Sequence, residues 1–170
     1  VGYADDIAIL TTGKFGGVVS ETMQDALRIV ERWCTGVGLT VNLSKTSLVH
    51  FTRKTKPCGT KTVYLFDEPL GTVGEVKYLG VILDSKLNFK LHVEKITKKA
   101  TVALWTCRRL FGKNWGLTPR MIHWIYTKMV IPIVTYASLV WWTRTQIKDC
   151  RNKLDKLQRL ARLQRQWKHC

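Results

Sequence analysis

The chain has 170 residues, enough for one domain or two small ones with a real core, and its 45% hydrophobic content excludes wholesale disorder. The formal charge of +16 is not spread evenly: residues 1–85 hold nine Lys/Arg and nine Asp/Glu, residues 86–170 nineteen against three. A neutral half joined to a strongly basic half fits a polyanion partner, the plainer alternative being a basic surface that serves only solubility.

The first predicted element is a pair of short strands in VGYADDIAIL (1–10), joined by a tight turn around Ala4–Asp6. The chain opens on Val1 with no polar lead-in, the look of a segment cut from a longer polypeptide, and no signal peptide is visible. SETMQDALRIVERWCTGVG then places Met23, Ala26, Leu27, Val30, Trp33, Cys34 and Val37 at steps of three and four, one buried helix face. Ser20 is the expected N-cap, with Glu21 and Asp25 in the first turn, and Gly36 or Gly38 ends the helix. GLTVNLSKTSLVHFT reads as a strand through Phe51, TKPCGTK as a loop, and the next stretch as a hairpin with strands near 62–66 and 76–83.

From Asn88 the pattern turns helical. Phe89, Val93, Ile96, Ala100, Ala103, Leu104, Cys107 and Phe111 form an apolar stripe, with Lys90, Lys95, Lys98, Lys99, Arg108 and Arg109 around it. Thr118–Pro119 is a cap followed by a first-turn proline. MVIPIVTYASLVWW (129–142) is too short for a bilayer, contains Pro132 and reads as a buried helical segment. In the last helix Leu154, Leu157 and Ala161 share a face opposite a dense basic one. The fold class is therefore α+β in the first half and a small basic helical bundle in the second.

Cys34, Cys58, Cys107, Cys150 and Cys170 lack the paired spacing of a zinc site or compact disulfide framework, which points to free thiols in a reducing, intracellular setting, nucleus or cytoplasm. The four histidines show no metal spacing either. Seven tryptophans could stack on bases, but Trp105, Trp124, Trp141 and Trp142 sit in apolar or periodic settings where core packing is the better account.

Asp5 and Asp6 bear on the chemistry. Neighbouring strand side chains project to opposite sides, so one carboxylate can enter a site while the other braces it. Phosphoryl transfer with two metal ions needs such clustered carboxylates, and magnesium suits them; an Asp pair taken by itself more often serves a hairpin turn. The Tyr-Ala-Asp-Asp stretch flanked by apolar residues resembles the catalytic hairpin of reverse transcriptases. GLTVNLSKT is similar to the segment that ends the family's palm, and KYLGVILD to the hairpin that grips the primer end. LHVEKITKKATVALWTCRRL and LTPRMIHWIYTKMVIPIVTYASLVWW look like the thumb of the non-LTR (LINE-type) retrotransposon enzymes. KLDKLQRLARL resembles the helix just past it. The likeness is collinear over nearly the whole chain.

The resemblance implies a partial polymerase palm (catalytic hairpin, helix, strand, primer-grip hairpin) over 1–85, and an all-helical basic thumb with the start of a following segment over 86–170. It makes Asp5 and Asp6 the paired metal-site aspartates, Asp5 the direct ligand, for two Mg2+ ions. It places Tyr3 and Ala4 beside the primer terminus and incoming nucleotide. Lys45 would be the lysine that protonates departing pyrophosphate, or else a solvated turn lysine. Tyr78, Leu79 and Gly80 would grip the primer, or in the first two cases pack a core. Lys95, Lys98, Lys99, Arg108 and Arg109 are the first candidates for the nucleic-acid backbone. The implied partners are an RNA template, an RNA–DNA hybrid and, in the full-length enzyme, a dNTP; a membrane partner fits less well because the apolar faces look committed to a bundle. The family's third carboxylate and its fingers lie upstream of Val1, so the chain by itself is expected to be inactive. The rival reading is a non-catalytic nucleic-acid-binding relic of a decayed element.

Overall fold

A computed structural model describes residues 1–53, 59–108 and 119–166; the side chains at 107, 108, 119, 122 and 163–166 lie outside that description, as do Arg109, Phe111 and Thr118 entirely. The chain divides into two compact units between Val76 and Lys77. Its secondary structure is helical with small antiparallel ribbons.

In the first unit β1 (Gly2–Tyr3) and β2 (Asp6–Ile7) form the expected opening hairpin, with Gly2 opposite Ile7 and Tyr3 opposite Asp6. The helix α1 runs over Gly16–Val37, beginning well before the expected cap. Ser20 is not the N-cap: it is buried, its hydroxyl donates to the Gly16 carbonyl at 3.0 Å, and it accepts the Lys61 N–H at 3.1 Å. Phe15 takes the cap position without a side-chain bond, and Gly38, left-handed at φ 69°, closes the helix as expected. Leu27 and Cys34 are buried and Met23 is partly buried, whereas Trp33 and Val37 of the expected face are exposed.

Residues 39–51 are not a strand. Leu43–Lys45 form a 3-10 turn because Asn42 folds back on it, its Oδ1 accepting the Lys45 N–H at 3.3 Å and the Ser44 hydroxyl at 2.7 Å. An asparagine that satisfies nearby donors competes with a sheet ladder, and here it wins. Among the described residues an isolated parallel bridge joins Leu48 of this segment to Thr72. The single hairpin expected over 62–83 is two: β3 (Tyr64–Leu65) with β4 (Glu68–Pro69), turning at Phe66 and Asp67, then β5 (Glu75–Tyr78) with β6 (Val81–Asp84), turning at Leu79 and Gly80. Phe66 and Asp67 at φ 49° and 62°, and Leu79 and Gly80 at 45° and 82°, have the double left-handed geometry of tight hairpins.

β3 finds its second partner in a helix. The Gln24 amide donates to the Tyr64 carbonyl at 3.0 Å and accepts the Tyr64 N–H at 2.8 Å, and Glu31 accepts the Phe66 N–H at 2.6 Å. Leu27, Val63 and Leu65 pack beneath these bonds with Met23, Leu43, Leu48 and Leu70 around them.

In the second unit Asp84 ends β6 and receives the Asn88 and Phe89 amides at 3.1 and 2.8 Å, starting α2 (Lys90–Arg108). Phe89, Val93, Ile96, Ala100 and Leu104 of the expected stripe are buried; His92, which was not expected there, is too. The next described element, α3 (Pro119–Ile125), passes through a π turn (Tyr126–Val130) into α4 (Ile131–Thr135). Then follow α5 (Ser138–Trp141), a 3-10 segment (Trp142–Gln146) and α6 (Lys148–Gln166). The run 129–142 is thus not one buried helix: it breaks at Ala137, held left-handed at φ 50°, and leaves Leu139 90% exposed. Of the four tryptophans expected in the core, Trp141 alone is buried, at 3%; Trp105, Trp124 and Trp142 are exposed. Adjacent helical residues point about 100° apart, so Trp141 and Trp142 cannot both face one core.

Val81, Phe89, Val93, Ile96, Trp141 and Cys150 make one cluster and Ala100, Leu104, Val130, Leu157 and Ala161 another, so α2 and α6 share the bundle's centre. Across them Lys153 bonds Glu94 at 2.8 Å, and within α6 it bonds Asp149 at 3.1 Å; the ammonium holds the Glu94 carboxyl below its ordinary range, and the two carboxylates hold Lys153 above its own. Cys34 and Cys150 are free thiols, and burial raises that of Cys150. Among the described residues no helix is long and apolar enough to cross a membrane.

Leu104, 2% exposed at the α2–α6 seam, is expected to lose about 2–5 kcal/mol of unfolding free energy as Leu104→Ala. Leu139→Ala is expected to change it by no more than about 0.5 kcal/mol. Urea unfolding of the two variants checks both values.

Candidate functional site

The opening hairpin closes on itself. The Val1 ammonium donates to the Ala8 carbonyl at 2.8 Å and the Ala8 N–H returns to the Val1 carbonyl at 2.7 Å. Between the strands Ala4 sits left-handed at φ 53°, a conformation that costs a non-glycine residue about 1 kcal/mol or more. That turn puts Asp5 at the hairpin tip and Asp6 on β2 opposite Tyr3, all three exposed. Neither aspartate joins an ion pair among the described residues, so both carboxylates face water with their oxygens unclaimed. Two adjacent carboxylates offer the hard donors magnesium prefers, but a partial set. Among the described residues no group of three His, Cys, Asp or Glu side chains is placed to hold a metal ion.

Lys45 ends the 3-10 turn that Asn42 fastens, exposed and without an ion pair to Asp5 or Asp6 among the described residues. The structure therefore brings Tyr3, Ala4, Asp5 and Asp6 together on one hairpin and leaves Lys45 on a separate turn.

The β5–β6 hairpin carries Tyr78, Leu79 and Gly80. Tyr78 is half-buried, and its phenol oxygen is buried without a hydrogen-bond partner among the described residues. Leu79 is 38% exposed, which core packing does not explain. Gly80 lies against the ring of Tyr136, whose hydroxyl donates to the Leu79 carbonyl at 2.7 Å. Behind the turn the Ile82 N–H donates to Nδ1 of His92 at 3.3 Å. His92 is 1% exposed, its ring tilted against Trp141 at 6.0 Å, and its Nε2 has no partner among the described residues. Desolvation, then the nearby Lys95 ammonium, push its pKa below the ordinary 6.5, so the imidazole is neutral and Nδ1 is free to accept.

Lys95, Lys98 and Lys99 occupy the exposed face of α2, and none is in an ion pair among the described residues. The Arg108 side chain and all of Arg109 lie outside the described residues. The structure adds candidates that had been read only as a basic face: Arg151, Lys156, Arg159 and Arg162 are exposed along α6. Between Pro119 and Lys148 the chain has no acidic residue, and exposed Trp124, Tyr136 and Trp142 fall in that stretch.

Residues 1–83 match the family model described as reverse transcriptase (RNA-dependent DNA polymerase). That stretch is similar to reverse transcriptases, and the relatives of the chain narrow the group. A retrovirus-related Pol polyprotein from type-1 retrotransposable element R1 3 of Nasonia vitripennis is 25% identical over 96% of this chain and 44% of its own length. The probable RNA-directed DNA polymerase from transposon BS of Drosophila melanogaster is 31% identical over 82% of this chain and 15% of its own. The RNA-directed DNA polymerase from mobile element jockey of Drosophila funebris is 29% identical with the same two shares, 82% and 15%. Over most of its length the chain is similar to the reverse transcriptases of non-LTR retrotransposons, and it spans less than half the length of these relatives. No solved structure matches it.

The buried imidazole makes the β6–α2 packing sensitive to acid. The unfolded chain binds a proton at His92 more readily than the folded one, so stability is full above pH 6.5 and falls as the pH drops from there through the folded value. Unfolding midpoints between pH 5 and 8 are expected to decline below 6.5, and His92→Asn, whose Oδ1 can take the Ile82 N–H, to flatten that decline.

Proposed function

We propose that this chain is the C-terminal part of the palm, residues 1–85, followed by the thumb, residues 86–170, of an RNA-directed DNA polymerase. The observation that carries the reading is the place of Asp5 and Asp6: exposed and unpaired at the tip of a tight hairpin, inside the stretch that matches the family. In the whole enzyme Asp5 would be the direct magnesium ligand and Asp6 its companion, with a third carboxylate from upstream. Bound there, the ions would stabilise the attacking and leaving oxygens of nucleotidyl transfer.

The chain's own residues supply the rest. Tyr3 and Ala4 flank the aspartates and would border the primer terminus and the incoming dNTP. Lys45, a solvated ammonium on a pinned turn, would hold the proton given to departing pyrophosphate. Tyr78, Leu79 and Gly80 present a rigid turn to the primer end. Lys95, Lys98 and Lys99, with the cations of α6, would neutralise phosphates of an RNA–DNA hybrid gripped by shape. Exposed lysines with no ion-pair partner among the described residues give up no ion pair on meeting phosphate, which favours this role over a saturated salt-bridge surface.

The second reading, a nucleic-acid-binding relic without catalysis, draws on the lack of a three-donor metal cluster among the described residues. Primer extension on an RNA template with this chain and magnesium is expected to yield no product, and robust synthesis would overturn the need for upstream residues.

Hybrid binding tests the thumb assignment. Affinity for an RNA–DNA hybrid is expected to fall linearly with salt on logarithmic axes. Replacing Lys95, Lys98 and Lys99 by Ala should weaken binding and shallow the slope by roughly one for each lost phosphate contact. An unchanged slope removes α2 from the interface.

A further inference from the structure

The hairpin tip at Leu79–Gly80 has an attachment that the primer-gripping role alone does not require. A two-stranded ribbon is marginal in water, so the position of its tip depends on what holds it. Directly behind the tip, β6 is anchored by buried Val81 and by the His92–Ile82 bond. At its tip there is Tyr136, from the link between α4 and α5, 57 residues further along the chain. Its hydroxyl donates to the Leu79 carbonyl at 2.7 Å, and a Cβ on Gly80 would lie 3.1 Å from its Cε1. With φ at 82° and the ring this close, position 80 suits glycine alone.

Tyr136 is itself held. Its N–H reaches the Pro132 carbonyl at 3.0 Å, and its carbonyl accepts the indole N–H of buried Trp141 at 2.9 Å. Ala137, left-handed at φ 50°, turns the chain immediately after it. The phenol is thus a strut from the bundle core to the hairpin tip. Yet Tyr136 is 53% exposed, so packing is not what the ring contributes.

The consequence lies on the far side of the turn. The peptide joining the two central residues of a tight turn stands across it, carbonyl to one side and N–H to the other. Tyr136 claims the carbonyl of the Leu79–Gly80 peptide; the Gly80 N–H makes no backbone hydrogen bond among the described residues. Donation to the carbonyl also polarises that peptide, making its N–H a better donor.

We propose that Tyr136 is the positioning residue of the hairpin tip, orienting the Gly80 N–H toward a phosphate oxygen near the 3′ end of a strand in a bound hybrid. The inference rests on the proposed hybrid-binding role and names the group that role would use.

The test compares the unsubstituted chain with Tyr136→Phe, which keeps the ring and removes the hydroxyl. Two RNA–DNA hybrids serve as probes, one with a recessed primer 3′ end and one blunt, with the Gly80 amide followed by NMR and unfolding midpoints measured alongside. Expected are a downfield Gly80 amide shift on binding the recessed hybrid and tighter binding of it than of the blunt one. In Tyr136→Phe that shift is lost and recessed-end affinity falls about three- to tenfold, to the blunt level, at an unchanged midpoint. Retention of both shift and preference overturns the assignment and leaves the hybrid-binding role standing. An equal loss on both hybrids, or a lowered midpoint that accounts for the loss, makes Tyr136 a structural residue and overturns the assignment too. If the unsubstituted chain binds neither hybrid, the role and the assignment fall together.

Discussion

A chain whose ribbons have only two strands leaves most backbone edges without a sheet neighbour, and every such N–H and C=O still needs a partner. Side chains meet that demand here. Gln24 pairs with both polar groups of Tyr64 as a strand would, Glu31 and Ser20 take further amides, and Asn42 closes the 3-10 turn. In the second unit Asp84 opens α2, His92 takes the Ile82 amide and Tyr136 takes the Leu79 carbonyl. The bonds of Ser20, Gln24, Glu31 and His92 tie segments of little intrinsic stability to helices with a buried face. The β3–β4 and β5–β6 hairpins are thereby kept in place without a large sheet.

Much of this frame was legible where the physics is local. The opening hairpin, the glycine stop at Gly38 and the buried stripes of α2 and α6 follow from turn chemistry and a 3.6-residue period. The failures share a cause. Ser20 resembles a cap because capping serines and serines that accept a distant amide are the same residue, and Lys61 lies 41 positions away. Residues 39–51 have strand composition, but one asparagine bond redirects them. Trp142 has core chemistry yet lies outward, since the breaks at the π turn and Ala137 rotate the apolar stripe out of register ahead of it.

Site legibility divides the same way. The aspartate pair stands out because two adjacent carboxylates in an apolar strand pair demand a reason. Lys45 and Tyr78 do not stand out by themselves, and their roles come from likeness to a family. His92 and Tyr136 carry no sequence signal: one is a lone histidine in a lysine-rich helix, the other a tyrosine within an apolar run. Their importance arises only when residues 10 and 57 positions apart are brought within hydrogen-bond reach.

The π turn at Tyr126–Val130 has an evolutionary corollary. Such a turn is an α-helix that has absorbed one surplus residue, and each residue advances a helix by about 100°. Everything downstream is therefore phased by that surplus, including the tyrosine that meets the hairpin and the indole that steadies it. A lineage could trade side chains along this stretch freely, yet a single-codon deletion within it would swing both aromatics off target, so length should be guarded there more strictly than identity.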